Sequence, residues 1–533
     1  MKSSRKQSFA DLLPIVLLLW VYIFLRWHDI AAHHPYFIDE IHHMRRARAV
    51  WTLSDLHTMT TPGKFLLYYW LGAFQLPVYP PLWLVRTGAS MLTLLGAAGT
   101  YAFTRTLFGK RAAWVALALL AVFPFVLFYE RMALTDTLAG SFAVIMAWWS
   151  VIVARRPSLH NATWLGVWVC VMLAAKILTF PMLLIPFMAV ALLGPHPIQL
   201  GVSLKSEIQR IGREYQPAIR RATWIISGVW VPIVVFFQLR KFIDPNTKAI
   251  VDDYLYGAAL DPNQNQYVKN LERVGQALWY LWGPLLIGLA VVALGVIFWR
   301  RWRWGVFFVG SILPLWAFVF VVAGQLNSRY LTVVAHLVVA LIAGGLIMAG
   351  DVLQQRLRWR RVAWLPVGML GIWGLVFALP FAYTNITAPT SLALPDRDKS
   401  EYFRNYTGYA LPDALAYLAA AEPISQGSDV PVVVTFVRVC EFLPYHMPTT
   451  MHDDLRLICK PSTEQGSFSN RYDMLNTALA EYGAVYLMAE EYETSDGSPM
   501  FDPALANGTA HFLTRYERPF DGVPVLVYRM EAN

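Results

Sequence analysis

Apolar runs of bilayer-crossing length, about 17 to 25 helical residues, recur along the chain from Leu12 to about Tyr383. We read eleven, near 12–27, 82–104, 112–129, 135–153, 162–175, 177–194, 222–239, 275–299, 304–323, 330–349 and 363–383. The first follows Lys2, Arg5 and Lys6 as a signal peptide would. No small-residue cleavage site follows it cleanly and more spans come after, so a retained anchor is expected. The fifth and sixth runs are almost continuous, and Lys176 marks the boundary between them. Residues 65–76 (FLLYYWLGAFQL) are also apolar, but Pro77, Pro80 and Pro81 close the stretch before it is long enough to cross. It reads as interfacial. After Tyr383 the periodicity changes to two helices, about 409–421 and 472–483, alternating with β-rich runs from Val430, Ala484 and Val523. The expected architecture is therefore a polytopic α-helical membrane domain over 1–383 and a small α/β domain over 384–533.

Composition agrees with the pattern. Hydrophobic residues make up 56% and charged residues 15% of the 533, against about 25% charged in soluble domains. The net charge of +9 separates into +19 for residues 1–383 and −10 for residues 384–533. With 65–76 interfacial, every basic linker falls on the side of the N-terminus: Arg105/Lys110/Arg111, Arg155/Arg156, residues 205–221, Arg300/Arg301/Arg303 and Arg356/Arg358/Arg360/Arg361. Basic linkers stay inside, so the loops 28–81 and 240–274 and the tail after Tyr383 are expected outside. The basic excess is then a topology signal, and no nucleic-acid surface is implied. Sequons at Asn385, Asn405 and Asn507 fall outside but carry little weight. Cys440 and Cys459 also fall outside, where a disulfide is permitted though no spacing rule demands it.

Candidate chemistry gathers at the outer surface. Asp39 and Glu40 follow the first span and open a short helix. Paired acids there suit a general base or a cation, and they equally suit the first turn of a helix. Glu130, Arg131 and Asp136 sit on the hairpin between the third and fourth spans, where Arg131 and Asp136 could simply pair. Lys176 interrupts apolar sequence, which calls for a partner or for snorkelling to the headgroups. His28, His33, His34, His42, His43 and His57 crowd the first outer loop. No two of them have the i, i+4 spacing of a zinc helix, so no cofactor is expected and a divalent metal is the minority reading.

Taken in order, these motifs resemble the GT-C class of membrane glycosyltransferases, especially the protein O-mannosyltransferase and lipid A aminoarabinose transferase group, glycosyltransferase family 39-like. The matching residues are Asp39-Glu40, Lys64 with Tyr68-Tyr69-Trp70, and Arg86 opening the second span. They continue with Arg131 to Asp136, Ala175-Lys176 and Asn327-Ser328-Arg329-Tyr330, over roughly residues 10–350. Where the family often carries a His- or Lys-Pro-Pro run, this chain reads Thr61-Pro62-Gly63-Lys64.

The resemblance implies a donor sugar on a polyprenyl monophosphate, attacked by an acceptor hydroxyl of a protein, lipid or envelope glycan in one inverting displacement. Asp39 would be the base, with Glu40 and Asp136 positioning the acceptor or the base. Lys64, Lys176 and Arg329 would meet the departing phosphate, with Arg131, Tyr330 and Tyr69 in support. The expected location is a bacterial plasma membrane, with the active site and the C-terminal domain on the extracytoplasmic side. A lipid or glycan transporter or flippase is the alternative, but it would favour ionisable residues at mid-bilayer and broken-helix repeats. A scaffold displaying the C-terminal domain is a third reading, which leaves the two acidic motifs unexplained.

Overall fold

The computed structural model describes residues 9–54, 64–73, 80–199, 201–243, 266–323, 326–405, 407–437, 440–459, 469–491 and 501–533. His57 and Thr61-Pro62-Gly63 lie outside these. The described chain forms two compact units: residues 1–30, 43–73 and 86–395 form one, and residues 31–42, 74–85 and 396–533 form the other.

The first unit is helical. It contains α1 (Phe9–Trp27), α2 from its middle (Ile38–Trp51), α3 (Phe65–Gly72), α4 (Leu82–Phe108), α5 (Lys110–Val122), α6 (Pro124–Glu130) and α7 (Thr135–Arg155). There follow α8 (Leu159–Ala175), a 3-10 turn (Ile177–Leu183), α9 (Leu184–Leu193), α10 (Leu204–Ile243), α11 (Gln266–Leu281) and α12 (Gly283–Val322). The last are α13 (Ser328–Leu331), α14 (Ala335–Leu357), α15 (Leu365–Trp373) and α16 (Leu379–Thr387). Among the described residues six helices are long and apolar enough to cross a membrane, or seven if the bent pair α5–α6 is one span. Leu12–Trp27, Leu159–Ala175 and Ile177–Leu193 are shorter apolar helices. The 40-residue α12 turns at Arg301, whose φ of −149° and ψ of 66° are not helical.

Local chemistry explains the breaks. Pro124 has no N–H to offer the carbonyl four residues earlier, and α5 meets α6 there at a 55° bend. α3 has eight residues, so at 1.5 Å per residue it spans about 12 Å, against about 30 Å of hydrocarbon. It cannot cross. α7 and α14 are buried along most of their length, whereas α10 is mostly exposed, as a helix facing lipid would be.

The second unit is built on a five-stranded mixed sheet in the order β2-β1-β3-β5-β4. Its strands are β1 (Val432–Phe436), β2 (Arg456–Ile458), β3 (Ala484–Glu490), β4 (Gly508–Arg518) and β5 (Gly522–Ala532). β1 pairs in parallel with β2 and β3, while β5 is antiparallel to β3 and β4. β1 is buried at every position, as a strand covered on both faces should be. One face packs Val433, Met488 and Val527 against Leu411, Leu415 and Leu418 of α17 (Leu411–Ala419). The other packs Val434, Phe436 and Leu487 against Leu475 and Leu479 of α18 (Ser469–Tyr482). Cys440 and Cys459 form a disulfide across a Cα separation of 5.7 Å.

His446 belongs to this unit. Surrounding protein and the Arg518 guanidinium push its imidazole down to about 3. The unfolded chain therefore binds a proton that the fold refuses between about pH 3 and about pH 6.5. The stability this withholds is intact above about pH 6.5 and is lost as pH falls below it, by at most about 1.4 kcal/mol per pH unit. The residue as a whole is only partly buried, which makes that slope an upper limit. Thermal unfolding of the purified chain in detergent should become steeper with acid for the parent than for His446→Phe. Equal slopes would rule out this origin.

Candidate active site

The helical unit places its charged residues at helix breaks. Arg26, near the end of α1, is fully buried, as is Glu130 at the end of α6, and their side chains meet at 2.5 Å. Tyr22 donates to the same Glu130 oxygen at 2.9 Å, and its ring lies 3.5 Å under the Arg26 guanidinium. The guanidinium also donates to the carbonyls of Leu120 and Ala121 at 3.1 and 2.9 Å. Leu120 is the residue whose carbonyl lost its helical partner at Pro124. One arginine thus answers both the buried acid and the frayed bend. On the other side of Glu130, His336 stands 4.0 Å away and bonds Thr100 at 2.9 Å.

Arg131, one residue on, reaches the carbonyls of Leu25, Arg26, His28 and Asp29 at 2.9 to 3.2 Å. These are carbonyls at the C-terminal end of α1, where a cation is favoured and where Asp29 turns left-handed at φ 47°. The alternative pairing of Arg131 with Asp136 is corrected by this geometry: Arg131 caps α1, and Asp136 takes Lys176.

The Lys176 ammonium pairs with the Asp136 carboxylate. Lys176 is the extended residue (φ −160°, ψ 111°) that separates α8 from the following 3-10 turn. Asp136 lies in the first turn of α7, where the helix dipole favours an anion. The ammonium is also 4.8 Å from the centre of the Tyr330 ring, and the Arg329 guanidinium is 5.3 Å from the same ring. Four of the residues singled out from sequence (Asp136, Lys176, Arg329 and Tyr330) therefore converge. Gly140, one helical turn beyond Asp136, permits it, because a side chain there would sit 3.0 and 3.2 Å from the carbonyl oxygens of Val333 and Thr332. Two cations about one aromatic ring, one of them held by a buried acid, can stabilise an anion whose charge grows during a reaction.

Lys64 is the N-cap of α3 without a side-chain cap bond, and Tyr69 is exposed on that helix. Asp39 and Glu40 fall in the other compact unit, in the first turn of α2. Glu40 is fully buried. Its carboxylate accepts the Phe37 N–H at 3.0 Å while its own N–H donates to Phe37 at 2.9 Å, which is the reciprocal half of a capping box. Asp39 is partly exposed. Among the described residues no group of three or more His, Cys, Asp or Glu is arranged to hold a metal ion.

Sequence reading missed two residues that support the cluster. Arg26 was hidden in an apolar run. Asn270, fully buried on α11, donates to the carbonyls of Phe320 and Ala323 at 3.1 and 2.9 Å and accepts the Leu326 N–H at 3.3 Å. It thereby ties the end of α12 to the segment that leads into Arg329-Tyr330. Its signal was an asparagine in register with the buried Ala277 and Leu281 at i+7 and i+11.

A polytopic helical unit with this cluster, joined to a mixed-sheet unit, defines a fold class, and comparison with known proteins names it. Residues 64–206 match the family model described as dolichyl-phosphate-mannose-protein mannosyltransferase. The structure is similar to ArnT from Cupriavidus metallidurans in the apo state, with a TM-score of 0.58, 13% identity and 98% of each chain covered. The same protein bound to undecaprenyl phosphate gives 0.52, 13% identity and 97% of each chain. The apo oligosaccharyltransferase of Archaeoglobus fulgidus gives 0.50, 12% identity, 98% of this chain and 75% of that one. No curated protein matches the sequence significantly. The chain has the GT-C fold.

Removing only one partner of the Arg26–Glu130 pair leaves a buried charge unanswered. Glu130→Leu should lower stability by about 3 to 5 kcal/mol. Arg26→Met combined with Glu130→Leu should recover the charge part of that loss, leaving only the two bend carbonyls unmet. Thermal unfolding in detergent checks this; a double variant as unstable as the sum of the singles would refute the pairing argument.

Proposed function

We propose that the protein is an inverting membrane glycosyltransferase that moves a sugar from a polyprenyl-phosphate donor to an acceptor hydroxyl on the outer face of a bacterial plasma membrane. The observation that carries this reading is the gathering of Lys176, paired with Asp136, and Arg329 about the Tyr330 ring within a GT-C fold. In the reaction the sugar–phosphate C–O bond breaks as the acceptor oxygen bonds the anomeric carbon from the opposite side. Negative charge then collects on the phosphate. Lys176 and Arg329 are the cations in this reading, with Lys64 a third, and charge-assisted contacts in a water-poor site favour that leaving group. Asp136 holds the Lys176 ammonium until the phosphate competes for it. Asp39 takes the proton of the acceptor hydroxyl, and Glu40, as the cap of the same helical turn, keeps Asp39 in place. Arg131 supports the site by clamping α1, and Tyr69 borders the path of the lipid carrier. The acceptor is a protein, a lipid or an envelope glycan.

The family model match over residues 64–206 supports a lipid-phosphate sugar as donor, as does the undecaprenyl phosphate bound to the similar ArnT structure. The basic linkers support an eleven-span topology with residues 1–383 as the membrane domain. The Cys440–Cys459 disulfide supports an oxidising, extracytoplasmic location for the domain over 384–533.

Two measurements test the proposal. With purified protein and a polyprenyl-phosphate sugar, Asp39→Asn should lower transfer by at least about a hundredfold, the scale of a lost general base; transfer at the parent rate removes Asp39 from the role. A cysteine replacing Phe108 should resist an impermeant thiol reagent added from outside, and labelling there would overturn the topology.

A further inference from the structure

The sheet unit contains more than the tail. Residues 31–42, including the segment that leads into α2, cluster with residues 396–533. The contacts are backbone-specific. Phe37 forms an antiparallel bridge with Thr407, the Gly408 N–H donates to the Tyr36 carbonyl at 2.9 Å, and the Tyr409 hydroxyl donates to the His33 carbonyl at 3.0 Å. Aromatic packing backs each bond. The Phe37 ring lies 4.8 Å from Tyr402, His34 lies 5.2 Å from Phe403, and Tyr36 meets Tyr445 and His446 edge-on at 6.0 Å.

The segment held this way is the N-cap of α2. Phe37 stands opposite Thr407 in the bridge and donates its N–H to the Glu40 carboxylate, and Asp39 lies between Phe37 and Glu40 in the chain. The space beside Gly408 is already filled by side chains. A methyl on Gly408 would overlap Cε1 and Nδ1 of His446 and come within 3.1 Å of the Pro35 side chain. A larger residue there would have to displace the His446 ring or push the Pro35 segment away.

We propose that the C-terminal sheet unit is a positioning element for Asp39: residues 407–409 add a strand-like splint to residues 33–37 and so fix the first turn of α2, with Gly408 leaving the room that the His446 ring and Pro35 occupy beside the splint. This rests on the reading of Asp39 as the base. A displacement on the order of 1 Å of a reacting group can cost about a hundredfold in rate, whereas donor binding through Lys176 and Arg329 does not depend on this splint.

Gly408→Ala in the full-length protein should therefore lower kcat by about tenfold or more with the donor KM unchanged. Gly408→Ala with His446→Ala, which removes the ring in the methyl's way, should recover part of the loss. Tyr409→Phe, which removes one peripheral hydroxyl, should fold normally and lose about two- to fivefold in kcat, in line with one neutral hydrogen bond. Hydrogen–deuterium exchange supplies a readout independent of transfer: peptides covering residues 33–42 should exchange faster in Gly408→Ala and in Tyr409→Phe than in the parent. Parent-like exchange in both variants overturns the splint. Faster exchange with an unchanged kcat overturns the link to Asp39. If the parent itself transfers no sugar, the glycosyltransferase reading falls while the exchange result still decides whether the splint exists.

Discussion

A charge among apolar helices has to be met inside the protein, because lipid offers it neither water nor a hydrogen bond. The helical unit is organised by that constraint. Arg26 enters the core because two things need it: the Glu130 carboxylate and the carbonyls released where Pro124 breaks the third apolar run. Arg131 crosses to the end of α1 because four carbonyls there lack helical partners. The hairpin between α6 and α7 is thereby fixed to α1 by two adjacent residues at the end of α6, and Asp136 follows within the next turn of chain.

The same logic builds the candidate site. Lys176 interrupts a long apolar run, and the interruption places its ammonium against Asp136 while its backbone takes an extended step between two helices. The α13 segment is brought to that pair by small residues and caps rather than by attraction alone. Gly140 lets α7 lie against the carbonyls of Thr332 and Val333, and Asn270 secures the chain just upstream of Arg329. Both act on the backbone and so bear on where the members of the cluster stand. Small residues at helix contacts serve this purpose widely in membranes, where close approach replaces the hydrophobic drive of water-soluble cores.

The sheet unit obeys aqueous rules. Its central strands are apolar on both faces because α17 and α18 cover them, and its cysteines are bonded. It also takes in residues from the far end of the chain, 31–42, through backbone pairing backed by aromatic contacts. A pairing of that kind leaves almost no trace in sequence, since main-chain N–H and C=O groups pair whatever residues carry them.

Hydropathy is a local property, so the sequence alone determined the apolar runs, the break at Lys176, the shortness of the 65–76 stretch and the change to α/β periodicity after Tyr383. It also picked out β1, β3 and β5, whose apolar runs are continuous, but not β4, where register shifts at Phe512/Thr514 and Tyr516/Arg518 break the alternation, nor the three-residue β2. Asp136, Lys176, Arg329 and Tyr330 were legible as unusual residues in membrane context. Which charge answers which was not: Arg131 had a plausible partner five residues away in Asp136 and took backbone carbonyls instead, leaving Asp136 to a lysine 40 residues away. Partner choice is set by distances between helices that are remote in the chain, and only the tertiary structure contains those distances.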